Sequence, residues 1–395
     1  MASEEGPVGL VLAGGGARGA YELGALSVLL PVLEESGQRP RVIVGTSVGA
    51  LNAAYLAASA HLPASQVAEA GERIWSTTRF EQVLKPVVAL GTLRRLGGYL
   101  AQFLGVSGAR LWSLLDPAPL RATLEELIPF DQLDRNVGGG SLADAAVVAT
   151  SAATSRSVVF HAGGGPHPRD DKRGIDYVRA RLTEEHVRAS AAIPFAFPAV
   201  HVSSPEPARG WYFDGGTRVN TPIKPALTLG AKRVVVVALN SLAPGPESLA
   251  SEDRPDALEG MSQFLQAVLV DPLVQDVQTL AAVNQQVRAG AAEKDEIPYV
   301  VVAPQERDAI GRLAQEVFNR RYGRLSDLLR ARSLALLGRA VGGGADPAHG
   351  ELLSYLFFDP EFAEALMELG REDARRWLDS DHDDGVWDKG PAGPG

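Results

Sequence analysis

Cysteine is absent from the 395-residue chain, which removes disulfides, thiolate nucleophiles and Cys-ligated metals together and fits a reducing compartment. Positive charge is short as well. Lys and Arg number 38 against 48 Asp and Glu, for a net charge of −10, so phosphate neutralisation gives nucleic acid no general reason to bind. A membrane surface would have to be met by local apolar or Arg-bearing patches rather than by the field of the whole protein. The opening Met-Ala-Ser-Glu-Glu-Gly-Pro lacks the basic and apolar regions of a secretory signal. Nothing further along reaches the ~18 uninterrupted apolar residues of a membrane span. The expectation is a cytoplasmic protein, with transient contact at a membrane surface as an option. An EF-hand loop is missing too, and calcium is expected to be unnecessary.

What is present reads as an ordinary globular chain, 45% hydrophobic and 22% charged. The segment Gly9 to Ala13 has the pattern of a buried strand, Gly19 to Leu33 that of a helix, Arg41 to Gly45 that of a second strand, and Leu51 to Ala60 that of a second helix. Further β-like runs at Ala145 to Ala149, Ser157 to Ala162, Trp211 to Asp214, Arg233 to Ala238 and Tyr299 to Ala303 alternate with helical stretches. The fold class is therefore α/β, with a mixed or mostly parallel sheet and helices on both faces. Residues from about Ala257 to Arg288 and Ile310 to Gly370 read as a helical C-terminal layer. The end of the chain, 379–395, is acidic and rich in Gly and Pro and is expected to be disordered, its acids beside His382 reading as a solvated tail rather than a metal site.

Two motifs sit where strands meet helices. Gly14-Gly15-Gly16-Ala17-Arg18-Gly19 matches the dinucleotide fingerprint on its own, but that site also wants an acid at the end of the second strand. Here the strand ends Val44-Gly45-Thr46-Ser47. Glycine triplets recur at 138–140, 163–165 and 342–344, yet only the first separates a buried strand from a helix start, where free amides can face developing negative charge. The second motif, Gly45-Thr46-Ser47-Val48-Gly49, is the chain's one G-x-S-x-G and has the form of a nucleophile elbow. A plain Gly-rich turn is its bland reading.

A serine hydroxyl needs a base. The late histidines His349 and His382, where a Ser-acid-His order would place one, lie in Gly-Pro-rich or acidic surroundings. A carboxylate is better placed: Trp211-Tyr-Phe-Asp214-Gly215-Gly216 puts an acid at the end of an aromatic strand, with two glycines turning the chain away. Read blandly, it is an Asp-Gly turn.

The glycine loop, the G-x-S-x-G serine and the D-G-G aspartate, in that order, resemble the patatin-like phospholipase family. So do Ala189 to Val200 before the aspartate strand and Asn220-Thr-Pro222 after it, for a coverage of roughly Gly9 to Leu227; Leu352 to Gly370 is similar to the closing helices of bacterial members. The resemblance implies a three-layer α/β/α fold with a catalytic core over 8–228, and remaining strands and helices over 229–375. It makes Ser47 the nucleophile and Asp214 its base. The loop Gly14, Gly15, Gly16, Ala17, Arg18 and Gly19 becomes the oxyanion hole, and Gly45, Gly49, Gly215 and Gly216 shape the elbow and the aspartate turn. No metal or other cofactor is implied.

Physical chemistry agrees with the carry-over. Asp214 can accept the serine proton only if burial raises its proton affinity, and the neighbouring Trp211 and Phe213 suit that. A dyad without imidazole favours ester over amide leaving groups, so lipid esters are the expected substrates. The apolar segment 83–104 could form a flap over the site, or simply core helix and loop. Two other readings stand beside this one: a nucleotide-binding protein using Gly14–Gly19, and a non-catalytic lipid-binding protein on the same fold.

Overall fold

A computed structural model describes residues 6–83, 85–86, 115–116, 118–194, 196–243, 260, 263, 271–289, 295–322 and 347–390. Its strands are β1 (Val8–Leu12), β2 (Pro40–Thr46), β3 (Lys85–Pro86), β4 (Leu115–Asp116), β5 (Asp144–Ser151), β6 (Ser157–His161), β7 (Ile175–Arg179), β8 (Val200–Val202), β9 (Gly210–Asp214), β10 (Arg233–Val237) and β11 (Tyr299–Val302). Its helices are α1 (Gly19–Glu35), α2 (Val48–Ala58), α3 (Ala64–Thr77), α4 (Phe80–Val83), α5 (Ala118–Leu127), α6 (Phe130–Gly138), α7 (Glu184–Ser190), α8 (Ile223–Thr228), α9 (Asp271–Arg288), α10 (Ala309–Tyr322), α11 (Pro347–Leu356) and α12 (Pro360–Asp379).

The main sheet runs β11-β10-β1-β2-β5-β6-β7, with β9 added to β5 and β8 to β9. The pairs from β11 through to β5 are parallel, as are β6 and β7, while β5 meets β6 and β9 antiparallel. Both faces of the central strands are covered, which explains why these strands read as continuous apolar runs. Alternate residues serve opposite layers. Leu10, Leu12, Val235 and Val237 join α1, α2, α3 and α12 in one apolar cluster, whereas Val11, Val44, Val234 and Val236 join α8 and α9 in another. The architecture is therefore a three-layer α/β/α fold around a mostly parallel sheet. Strands β7 and β8, short or partly exposed, go beyond the sequence expectation, because their patterns lack the apolar continuity of the central strands. The segment 83–104 lies outside the described residues apart from Val83, Lys85 and Pro86.

The C-terminal helices are joined to the core. Helix α12 packs along α1, and α11 packs on α10 and against the turn at Gly16–Arg18. The expectation of a disordered tail from 379 is corrected as far as Gly390. Trp387 is 2% exposed, donates its Nε1–H to Gln38 Oε1 at 2.7 Å, and lies under the Arg233 guanidinium. Asp388 exchanges two backbone hydrogen bonds with Tyr299, at 2.8 and 2.9 Å, on an edge of β11 that no other described strand pairs with. One large aromatic and an unpaired strand edge outweigh an acidic, glycine-rich composition, because a buried tryptophan removes some 150–250 Å² from water.

Candidate active site

Ser47 stands between β2 and α2, at the carboxyl end of a parallel strand, where open α/β sheets gather their ligands. Its backbone is forced to φ 55° and ψ −123°, a region costly for a residue with a Cβ and characteristic of a sharp strand-to-helix turn. Close packing on both sides imposes the turn. A Cβ on Gly45 would collide with the Gly49 carbonyl, and one on Gly49 with that of Leu12. The elbow is also pinned from outside the motif. The Ser47 N–H donates to Ser190 Oγ at 2.9 Å, and the Ser190 hydroxyl donates to the Val148 carbonyl at 2.6 Å. Ser190 lies in the Ala189–Val200 stretch, but nothing local distinguishes it from any other helical serine.

Asp214 ends β9, whose antiparallel pairing with β5 sets Asp214 opposite Ala149, one residue beyond the level at which Thr46 faces Val148. Ser47 Oγ donates to Asp214 Oδ2 at 2.6 Å, and Oδ1 accepts the Gly216 N–H at 2.7 Å. Both side chains are buried, at 5% and 4% exposure. Desolvation raises the Asp214 carboxyl to about 7, against the opposing pull of its bonds from Ser47 and Gly216. Gly215 has no room for a side chain beneath the Val148 carbonyl, so the Asp-Gly-Gly turn is a packing requirement as well as a reversal of the chain.

No imidazole bonds to either residue among the described residues. His161 pairs with Asp144, and His186 contacts Thr183 and the Ser204 carbonyl. His201 packs against Trp211, and His382 stacks on Trp377.

The glycine loop divides into parts with different duties. Gly14 exchanges hydrogen bonds with Asn220, and a Cβ on it would press on Ser47 Cβ at 3.0 Å. The Arg18 N–H is taken by the Gly15 carbonyl and the Gly19 N–H by that of Gly16. The amides of Gly15, Gly16 and Ala17 have no acceptor among the described residues. Gly16, at φ +60°, lies against the Tyr355 carbonyl with no room for a Cβ, and lines the same pocket as Ser47.

Arg18, expected as the basic residue of the oxyanion loop, has its side chain engaged by the C-terminal part of the chain. It is 1% exposed and stacks on the Tyr355 ring at 3.8 Å. Its guanidinium bonds Ser354 Oγ, Asn240 Oδ1, the Glu351 carbonyl and the Glu351 carboxylate. Every one of these partners lies more than 200 residues away in sequence, and they commit the charge to anchoring α11. The same packing covers the start of α1, which argues against a pyrophosphate at that helix end.

From Ser47 an apolar pocket with a cavity volume of about 110 Å³ runs between α2, α3, α5 and the stretch after α7. Leu51, Ile74, Leu124, Ile193 and Phe358 are among its walls, and Arg188 is the only charged residue among its described lining. A buried polar network braces the wall at Asn52 and Trp75. Asn52 accepts the Trp75 indole N–H at 3.0 Å and donates to Glu22 Oε2 at 2.7 Å, while burial holds the Glu22 carboxyl well above the usual carboxylate range.

A family model described as patatin-like phospholipase matches residues 10–227, more than half of the chain. Among curated proteins none matches the chain in sequence. Among solved structures the chain is similar to the crystal structure of VipD from Legionella pneumophila, at 13% identity and a TM-score of 0.36, over 96% of this chain and 69% of that one.

Proposed function

We propose, from the premise that the chain belongs to the patatin-like phospholipase family, that it hydrolyses carboxylic esters of lipids through Ser47 and Asp214. The family's members are generally acyl hydrolases. The observation that carries the reading to this chain is the 2.6 Å bond from Ser47 Oγ to a buried Asp214 Oδ2 at the head of an apolar pocket.

In the first half-reaction Ser47 Oγ attacks the ester carbonyl carbon as its proton passes to Asp214 Oδ2. Collapse of the tetrahedral intermediate breaks the bond to the leaving oxygen, which takes the proton from Asp214 and departs as an alcohol. Water then attacks the acyl-serine, Asp214 again receives the proton, and Ser47 is regenerated with release of a fatty acid. A carboxyl raised to about 7 is matched to both accepting and returning a proton near neutral pH. The negative charge on the carbonyl oxygen is met by the free amides of Gly15, Gly16 and Ala17 and by the positive end of α2. Such donors are worth about 10²–10³ each in rate. The apolar pocket holds the acyl chain, while Trp211, 58% exposed on β9 three residues before Asp214, does not supply the desolvation expected of it and instead offers an amphipathic ring suited to a lipid interface.

A fluorophosphonate probe should attach at one residue, Ser47, and a panel of lipid esters should release fatty acid measurable by mass spectrometry. Labelling that persists in Ser47→Ala overturns the assignment.

A further inference from the structure

A second cluster lies at the opposite end of the sheet. Asp144 opens β5 level with Val42 of β2, four residues before the Thr46–Val148 level beside Ser47, or about 13 Å away at the rise of a strand. His161 ends the neighbouring antiparallel strand, and His167 comes down from the loop between β6 and β7. One ligand atom from each of the three residues lies within 4.8 Å of the other two. We propose that Asp144, His161 and His167 form a binding site for a divalent transition metal ion of the zinc type.

Each ligand is held ready by a contact of its own. Asp144 is 3% exposed; its Oδ1 accepts the Gly163 N–H at 2.6 Å, while Oδ2 lies 3.1 Å from His161 Nδ1. That separation is close to the spacing of two ligand atoms on one tetrahedral ion with bonds of about 2.0–2.1 Å, and in the absence of metal a proton bridges them. His167 Nε2 is buried with no hydrogen-bond partner among the described residues, and its ring stands edge-to-face with that of His161 at 4.8 Å between centroids. A buried imidazole nitrogen without a partner loses the free energy of an unmade hydrogen bond, and a metal ion supplies the missing partner.

The composition selects the ion. Two imidazoles and one carboxylate suit zinc, cobalt or nickel, whereas calcium and magnesium want oxygen ligands throughout. The cluster also accounts for part of a glycine triplet that the Ser47 site leaves unexplained. A Cβ on Gly163 would overlap the Asp144 carboxylate, so glycine is needed for the loop to fold over its ligand. An ion here would staple the β6–β7 loop to the foot of β5, in a chain that has no cysteine to do so with a disulfide.

The test uses the full chain, stripped with chelator and titrated with Co²⁺ and then Zn²⁺. One equivalent of Co²⁺ should bind with visible d–d absorption, Zn²⁺ should displace it, and either ion should raise the melting temperature. His167→Ala, at a loop position, should weaken binding at least tenfold and abolish the absorption while leaving fluorophosphonate labelling of Ser47 unchanged. His167→Gln, close in size, serves the same purpose should the alanine variant unfold. Absence of saturable Co²⁺ binding, or binding that both His167 variants retain at full strength, overturns the proposal. Neither result bears on the Ser47 chemistry, which is read separately by the label.

Discussion

Replacing Asp214 with Asn should make the protein inactive and, at alkaline pH, more stable. The carboxyl is 4% exposed and raised from 3.8 to about 7, with desolvation as the largest cause. The native state thus holds a proton that the unfolded chain releases across that interval. Where the folded state binds more protons than the unfolded, stability falls as pH rises. The penalty is absent below about pH 4, grows between 4 and 7, and is complete above 7. A rise of roughly three units at about 1.36 kcal/mol each amounts to an upper bound of about 4 kcal/mol. Asn carries no charge to desolvate, keeps an oxygen for the Gly216 N–H and can donate to Ser47 Oγ, so it escapes most of this cost. Urea unfolding of wild type and Asp214→Asn should therefore give midpoints that coincide near pH 4 and diverge, with the variant higher, at pH 8. In parallel, wild-type ester hydrolysis should fall about tenfold per unit below pH 6, as the ionised fraction of the base declines. Asp214→Asn should be as inactive as Ser47→Ala, and the two losses should not add. A variant less stable than wild type at pH 8, or a wild-type rate that stays flat down to pH 5, refutes the account of Asp214 as a buried base.

Ser190→Ala leaves the Ser47 N–H and the Val148 carbonyl without their shared hydroxyl, a cost of about 1–3 kcal/mol in a buried setting. Because Ser190 orients the elbow and is not itself part of the pocket lining, kcat should fall by an order of magnitude with KM nearly constant; Ser190→Thr should recover most of the loss, and a change confined to KM would contradict the positioning role. Trp387→Ala should lower stability by about 3 kcal/mol, and removal of the chain after Ser380 should lower it further by exposing the β11 edge. Equal unfolding midpoints for wild type and truncated protein would show that the tail contributes nothing to the fold.

The central strands and the turns between them were legible because their signals are local. An apolar run of five residues, a Gly-Thr-Ser-Val-Gly turn and an Asp-Gly-Gly turn depend on neighbours within a few positions, and backbone sterics admit few conformations for such sequences. The pairing of Ser47 with Asp214 could be expected only by resemblance, since 167 residues separate them and no local rule brings two turns together. Register does it: β5 pairs with β2 on one side and β9 on the other, so both turns arrive at one sheet edge.

Arg18 and Trp387 show the limit of local reading. An arginine in a glycine loop beside a helix start carries the local signature of an anion site, yet Glu351, Ser354 and Tyr355 arrive from the far end of the chain and claim it. An acidic, glycine-rich end has the composition of a free tail, yet Gln38 and Tyr299 receive it. The positions of the β-strands, the elbow and the candidate base follow from short-range patterning and sterics. Folding settles which buried polar groups meet, which amides stay free, how far Asp214 is removed from water, and which ends of the chain are docked. Each of these is set by contacts between segments whose separation in sequence leaves no trace in composition or period.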